Sequence, residues 1–366
     1  MPQPNLVLLF YDGFERQAAT SLPGRLKAFA RRHARFLWRT LRRKQVRTGY
    51  YTAFMNLCLA LRRAGVDYRI NDFATARRYP DHPIAVCGYP TVFEKIASLP
   101  NPRLIGPGLY TSPSENPTLF KDPRSKFYIQ RCEWMKNLFA PYYGEENLRV
   151  WFRGFDVSDF EDVTNLPKKY DVLIYDKIYH NREENLPRTV EPFIRRLEAQ
   201  GLTYKVFKYG SYIRQDYMQA LRASRSLAFF CHSETQGHAY QEAMAMNIPV
   251  FAWDEGVWLD PLAKEVSPDK PIPATSVPHF DDRCGVRFKV ANMLEAWDRF
   301  WPAHAQFTPR AFVAETLSLK RSAELYLDAY RAAGAKQAQA DNARKAADRD
   351  SRRMAGSGSL ENACTS

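Results

Sequence analysis

Short apolar runs alternate with amphipathic stretches along most of the chain. Residues 5–10 form an apolar run of buried-strand type. From Gly49 the spacing predicts a helix over 51–63, with Phe54, Leu57 and Leu61 on one face and Gly65 as its stop. Strands are expected at 67–73, 84–87 and 103–105. The segment 106–125, punctuated by Pro107, Pro113, Pro117 and Pro123, reads as a loop of functional length. A helix is expected from about 126 to 139. A second unit opens near Val150, with strands at 170–175, 203–207, 227–231 and 250–253. Helices at 186–201, 213–224 and about 238–246 are interleaved with them. One long helix is expected over 309–332, with Phe312, Leu317, Leu319, Ala323, Leu327 and Tyr330 as its apolar points. Strand, helix, strand in this order signals parallel sheet with crossover helices.

Composition narrows the class. A chain of 366 residues, 45% hydrophobic and 14% aromatic, is long enough for two α/β domains with separate cores. No apolar run approaches the ~18 residues of a membrane span. The first residues lack a basic, apolar, small-residue leader pattern, so a cytoplasmic protein is expected. Six cysteines (58, 87, 132, 231, 284, 364) show no metal-ligand or redox spacing, and Cys87 and Cys231 read as core residues. No zinc site or disulfide framework is expected. The net charge of +13 is local: ten Lys/Arg and no acid lie between Gly24 and Arg47, leaving 43 basic residues against 40 acidic ones elsewhere.

The stretch with most chemistry is Ser233-Glu234-Thr235-Gln236-Gly237-His238-Ala239-Tyr240-Gln241-Glu242, continuing Ala243-Met244-Ala245 to Pro249-Val250. It lies between two predicted strands, which puts a loop and a helix start at the carboxyl edge of a parallel sheet, where open α/β folds bind ligands. Gly237 admits close approach to the backbone, and free N–H groups of a first helical turn suit a pyrophosphate. Two carboxylates eight residues apart can bracket a ligand rich in hydroxyls.

This stretch resembles the E-x7-E motif of retaining glycosyltransferases of family 4, with Glu234 and Glu242 at the two glutamate positions. The resemblance implies a GT-B fold: two Rossmann-like domains facing across a cleft, with a C-terminal helix crossing back to the first. It further implies that Glu234 contacts the transferred sugar and Glu242 the ribose of the nucleotide. Lys177 and Arg182 stand where the family places a basic pair for the donor diphosphate, with the residue types exchanged. Ser233, Gly237, His238, Tyr240 and the glycine turn at Gly49 complete the expected donor contacts, and Gly154-Phe155-Asp156 resembles the element that opens the family's second domain. The family often carries a histidine after its fourth strand. Here that region reads Gly106-Pro-Gly-Leu-Tyr110-Thr-Ser112, so the first domain's catalytic contribution is unassigned. GT-B enzymes generally use no divalent metal, so neither a metal nor another cofactor is expected, and His232 and His238 read as hydrogen-bonding groups.

The expected domains are 1–148, 149–308, a crossover helix at 309–333 and, because 334–366 is rich in Ala, Gln, Asp, Arg and Gly-Ser, a disordered tail. Within 24–47, Leu26, Ala30, Ala34, Leu37 and Leu41 fall at helical spacing beside Phe29 and Trp38. A cationic amphipathic helix of this kind suits the anionic inner face of a membrane. The same stripe also suits packing on the protein's own core, and the arginines a polyanion. The expected activity is transfer of a sugar from a nucleotide-sugar donor to a glycan or lipid-linked acceptor, as in cell-surface polysaccharide or glycolipid synthesis. A non-catalytic GT-B scaffold is the first alternative. A nucleic-acid-binding protein ranks last, because no RNA-binding aromatic motif accompanies the arginines.

Overall fold

The computed structural model describes residues 6–12, 23, 30 and 49–361, with side chains as far as 343. The basic stretch 24–47 lies outside the described residues apart from Ala30.

The first sheet orders its strands β2-β1-β3-β4-β5-β6, all parallel. They are β1 (Val7–Asp12), β2 (Tyr68–Ile70), β3 (Ile84–Gly88), β4 (Arg103–Gly108), β5 (Ser125–Gln130) and β6 (Leu148–Val150). Successive side chains point to opposite faces, and both faces are covered. Val7, Leu9, Tyr11, Ala85 and Cys87 meet Phe54, Leu57 and Leu61 of α1 (Gly49–Arg63). Leu8, Phe10, Ile84 and Val86 meet Val92, at the start of α3 (Val92–Lys95), and Leu138 of α4 (Glu133–Tyr143) on the other face. Between them in sequence lies α2 (Phe73–Arg78). Two expectations are corrected here. Residues 125–130 are a strand, so the proline loop ends earlier and the helix expected from 126 starts at Glu133. The stretch expected as a strand over 67–73 pairs only at 68–70 and then turns into α2.

The second sheet, also parallel, is ordered β11-β10-β9-β7-β8. Its strands are β7 (Tyr170–Lys177), β8 (Tyr204–Lys208), β9 (Ser224–Cys231), β10 (Val250–Trp253) and β11 (Gly285–Phe288). The helices following β7 are a short α5 (Arg182–Asn185) and α6 (Val190–Ala199). Next come α7 (Arg214–Arg222), α8 (His238–Ala245), α9 (Leu262–Val266) and α10 (Met293–Ala303).

The single helix expected over 309–332 is two: α11 (Pro309–Thr316) and α12 (Leu319–Glu361). Phe312 and Val313 are buried in the core of the second half, Tyr326 and Tyr330 in that of the first. The break between them is the crossing point. There Phe155 pairs with the chain on both sides, its N–H donating to Leu317 O (2.7 Å) and its carbonyl accepting from Leu319 N (2.9 Å). Glycine at 154 allows this, since a Cβ would fall 2.7 Å from the Leu319 Cα and 2.8 Å from the Ser322 Cβ. The chain also continues as helix through 334–361, where a disordered tail was expected; its alanines, lysines, arginines and glutamines favour helix. Two parallel α/β halves joined by a returning C-terminal helix make this a GT-B fold. Among the described residues no helix is long and apolar enough to cross a membrane.

Candidate functional site

β7 and β9 are neighbours in the second sheet, so their carboxyl ends present Lys177 and the loop 232–237 side by side. The loop is held at both polar groups of the Glu234 backbone. Its N–H donates to Thr275 O (3.0 Å), and its carbonyl accepts from Trp134 Nε1 (2.7 Å), which comes from α4 of the first half. Thus tied, the Glu234 carboxylate forms an ion pair with Lys177 Nζ, both side chains about 85% buried. Burial alone would push the Lys177 ammonium down, but Glu234 above all, with Cys231 and Tyr209, outweighs it and holds Lys177 well above the usual lysine range. Beneath the pair, burial raises the Cys231 thiol to about 12, so it stays protonated.

Gly237 precedes α8 with φ +75°. A Cβ here would lie 1.8 Å from the Tyr240 Cε1, so the turn into α8 is open to glycine alone. The first intrahelical bond runs from Gln241 N to Gly237 O (3.1 Å), leaving the N–H groups of 238–240 without a helical acceptor. His238 stands at this end. Its Nε2 is out of reach of solvent and unpartnered, although part of the residue remains accessible. Burial, and then the charges of Arg153, Arg131, Lys177 and Arg214, hold the imidazole neutral, well below its ordinary pKa.

Glu242, four residues on, is buried on the same helix. Its Oε1 meets Arg214 Nε and NH2, each at 3.0 Å, and Arg153 NH1 at 3.6 Å. Arg153 is nearly buried over the Phe155 ring, 4.7 Å from its centroid, and its N–H donates to Gln236 Oε1 (2.8 Å).

The expected site residues divide. Glu234, Lys177, Glu242, Gly237 and His238 gather around the start of α8. Ser233 is buried in the loop, its carbonyl accepting from Cys231 Sγ (3.3 Å). Gly49 lies exposed at the first turn of α1, beside Tyr50, whose ring meets the Arg131 guanidinium (5.5 Å). Two placements differ from expectation. The Arg182 guanidinium is committed to Asp176, bonding Oδ1 (2.8 Å) and Oδ2 (2.5 Å), because the loop after β7 folds back on that buried carboxylate. Tyr240 faces the core, where its ring is fully buried. Sequence reasoning missed Trp134, Arg131, Arg153 and Arg214. One of them carried a usable signal, since Arg214 opens the helix expected over 213–224; Arg131 and Arg153 follow strands that the apolar pattern does not show.

No protein-family model matches the sequence, nor does any curated protein. Solved structures do. The chain is similar to the lipopolysaccharide outer core galactosyltransferase WaaB in its apo form, at 8% identity and TM-score 0.49, over 89% of this chain and 99% of that one. It is similar to the sucrose-phosphate synthase of Thermosynechococcus elongatus at 11% identity and TM-score 0.47, over 89% and 98%. With TarM the values are 13% and 0.47, over 75% of this chain and 58% of TarM, so the chain spans little more than half of that protein. These are likenesses of fold.

A cavity of about 910 Å³ opens elsewhere, between the end of α1 and the start of α12, lined by Arg63, Asp156, Ser318, Glu324 and Arg331 among others. Lys177, Glu234, Gly237, His238 and Glu242 do not line it.

Proposed function

We propose that the chain is a glycosyltransferase that takes its sugar from a nucleotide-sugar donor bound at the start of α8. The observation that carries this reading is the pairing of Glu234 with Lys177 at the carboxyl edge of the second sheet, beside the open first turn of α8 and against Trp134 of the first half. A carboxylate next to free N–H groups and a lysine suits a ligand with hydroxyls at one end and a diphosphate at the other. Glu234 is assigned to the sugar. Glu242 is assigned to the ribose.

In the reaction the bond from the anomeric carbon to the β-phosphate oxygen breaks, a bond to the acceptor oxygen forms, and the acceptor proton passes to the departing phosphate. Lys177 and the α8 N-terminus stabilise the charge that grows on the leaving group. The cations already gathered at the helix start are the reason for assigning this role to side chains and not to a divalent metal. Approach of the acceptor on the same face gives retention of configuration. The acceptor we assign to glycans or lipid-linked glycans, with segment 24–47, bearing ten Lys/Arg, resting on an anionic membrane surface.

The test begins with thermal-shift titration of UDP-, GDP-, ADP- and CMP-sugars, followed by nucleotide release from the donor that binds. Wild type releases nucleotide and Glu234→Gln falls at least a hundredfold. The scaffold reading draws on one observation: Arg182 and Glu242 already hold internal ion pairs. Binding without release, equal in wild type and Glu234→Gln, decides for the scaffold, and the absence of any shift sinks the donor site itself.

A further inference from the structure

Cations in a protein interior are informative when their charge is not spent on a carboxylate. Arg182 is spent: both of its terminal nitrogens sit on Asp176, and NH1 also donates to Ile178 O (2.8 Å). Arg131 is different. It follows β5 at the carboxyl end of the first sheet, and among the described residues no carboxylate pairs with it; its guanidinium rests on the Tyr50 ring. Its main chain is fastened to the second half, where His279 Nε2 bonds to Arg131 O (2.9 Å). The N–H of His279 in turn donates to the hydroxyl of Tyr240, within α8 (3.3 Å). Three residues beyond, Trp134 clasps the Glu234 carbonyl. Arg131 is therefore carried to the start of α8 by two bridges, one on its own carbonyl and one three residues on.

What surrounds it there is a set of unfilled polar groups. The His238 Nε2 and the Arg153 Nε are both shut off from solvent without a partner. The charges also leave a remainder. Arg131, Arg153, Arg214 and Lys177 stand against the carboxylates of Glu234 and Glu242, an excess of two positive charges. A nucleotide-sugar diphosphate brings two negative charges, and a third develops as the sugar leaves. Binding of such a group would offer acceptors to the Arg153 guanidinium and neutralise the cluster together.

We propose that Arg131 is a ligand of the donor diphosphate supplied by the first half of the molecule, so that the phosphate clamp spans both halves, while Arg182 is a positioning residue that holds the loop after β7 on Asp176. This rests on the donor reading above. It supplies the first domain's missing contribution and makes donor binding depend on closure of the two halves, since one half alone carries only part of the clamp.

The experiment is calorimetric titration of the full chain with UDP, GDP, ADP and CDP, and with the matching monophosphate of whichever diphosphate binds. Arg131→Gln weakens the diphosphate tenfold or more and the monophosphate less than threefold. Arg131→Lys keeps at least a third of the wild-type diphosphate affinity. Raising salt from about 0.05 to 0.5 M weakens diphosphate binding less in Arg131→Gln than in wild type, because one charge fewer is screened, a readout that a merely structural role leaves unchanged. Arg182→Gln lowers the melting temperature and leaves diphosphate affinity within threefold. Should Arg131→Gln bind diphosphate as wild type does, or lose diphosphate and monophosphate equally, the two-domain clamp is overturned while the donor site stands. Should wild type bind none of the four diphosphates, the donor reading falls and takes the clamp with it.

Discussion

The Glu234–Lys177 pair offers the sharpest test, because it is read on stability and needs no substrate. Both side chains are about 85% buried, and burial acts against the lysine's charge while Glu234 restores it. Removing one partner of such a pair leaves a buried charge uncompensated, a loss of about 3–5 kcal/mol. For a domain the size of the second half, 1 kcal/mol moves the melting temperature by about 2–4 °C, so Glu234→Gln lowers it by roughly 6–20 °C at pH 7. The pH dependence carries a sign. In wild type the folded pKa of Lys177 lies above its unfolded value, so the pair's stabilisation is fully present below about pH 10.4 and is lost only at more alkaline pH. In Glu234→Gln the largest opposing influence is gone, burial prevails and the folded pKa falls below the unfolded one. The unfolded chain then binds more protons in that window, and the variant recovers about 1.4 kcal/mol per pH unit as pH rises towards 10.4. Melts of wild type, Glu234→Gln, Lys177→Met and the double variant at pH 7 and 9.5 decide the matter. The double variant should regain most of the loss, since no lone charge remains. A loss under 1 kcal/mol with no recovery at pH 9.5 would falsify the pairing as described.

Four further outcomes are expected. Gly237→Ala combines a left-handed φ, costing about 1–2 kcal/mol, with a Cβ inside the buried Tyr240 ring, so a loss above 3 kcal/mol in urea unfolding is expected, and a loss below 1 would refute the turn geometry. Tyr330→Phe removes the hydroxyl that accepts from Leu8 N (2.9 Å) and donates to Pro83 O, leaving buried groups unsatisfied at about 1–3 kcal/mol, read as a lower melting temperature for the first half. Arg310→Ala frees the carbonyls of Phe160, Val157 and Ala245 that its guanidinium gathers under α11, and hydrogen bonds to a charged group are worth about 1.5–3 kcal/mol each, so it destabilises more than Arg321→Ala at the exposed start of α12. Trp134→Phe loses one bond to the Glu234 carbonyl, about 1 kcal/mol, yet lowers kcat of the proposed transfer several-fold by loosening the loop; an unchanged kcat would show that the clasp does not position Glu234.

The second half was the more legible in sequence. Parallel strands covered on both faces read as unbroken apolar runs, and 227–231 and 250–253 fall inside β9 and β10. β5 escaped because Ser125, Lys126 and Gln130 interrupt that signal while four prolines draw 106–125 into a loop. Lys126 is nonetheless only 7% exposed, and packing of its stem, with the ladder to β4 and β6, outweighs local preference. β11, four residues with Arg287 among them, is too short to show a period. The break between α11 and α12 has neither glycine nor proline to mark it. It comes from Phe155, over 160 residues earlier, whose pairing with Leu317 and Leu319 competes with the helix.

At the site the limit is of another kind. Spacing locates charged side chains, but their use depends on which partner the fold brings to each. Lys177 meets Glu234 across 57 residues and Arg214 meets Glu242 across 28. The motif ranks Lys177 and Arg182 together, since both follow the same strand. The structure separates them, because the Arg182 charge is neutralised by buried Asp176. Drawing Arg182 onto a ligand would strand that carboxylate at a cost of several kcal/mol, more than a phosphate contact returns. Arg131 can turn to a ligand without breaking any described ion pair, giving up only its contact with Tyr50. Cations around an anion site are therefore better ordered by what each must abandon to bind than by where each stands in a motif, and on that ordering the residue no motif names comes ahead of the one that a motif does.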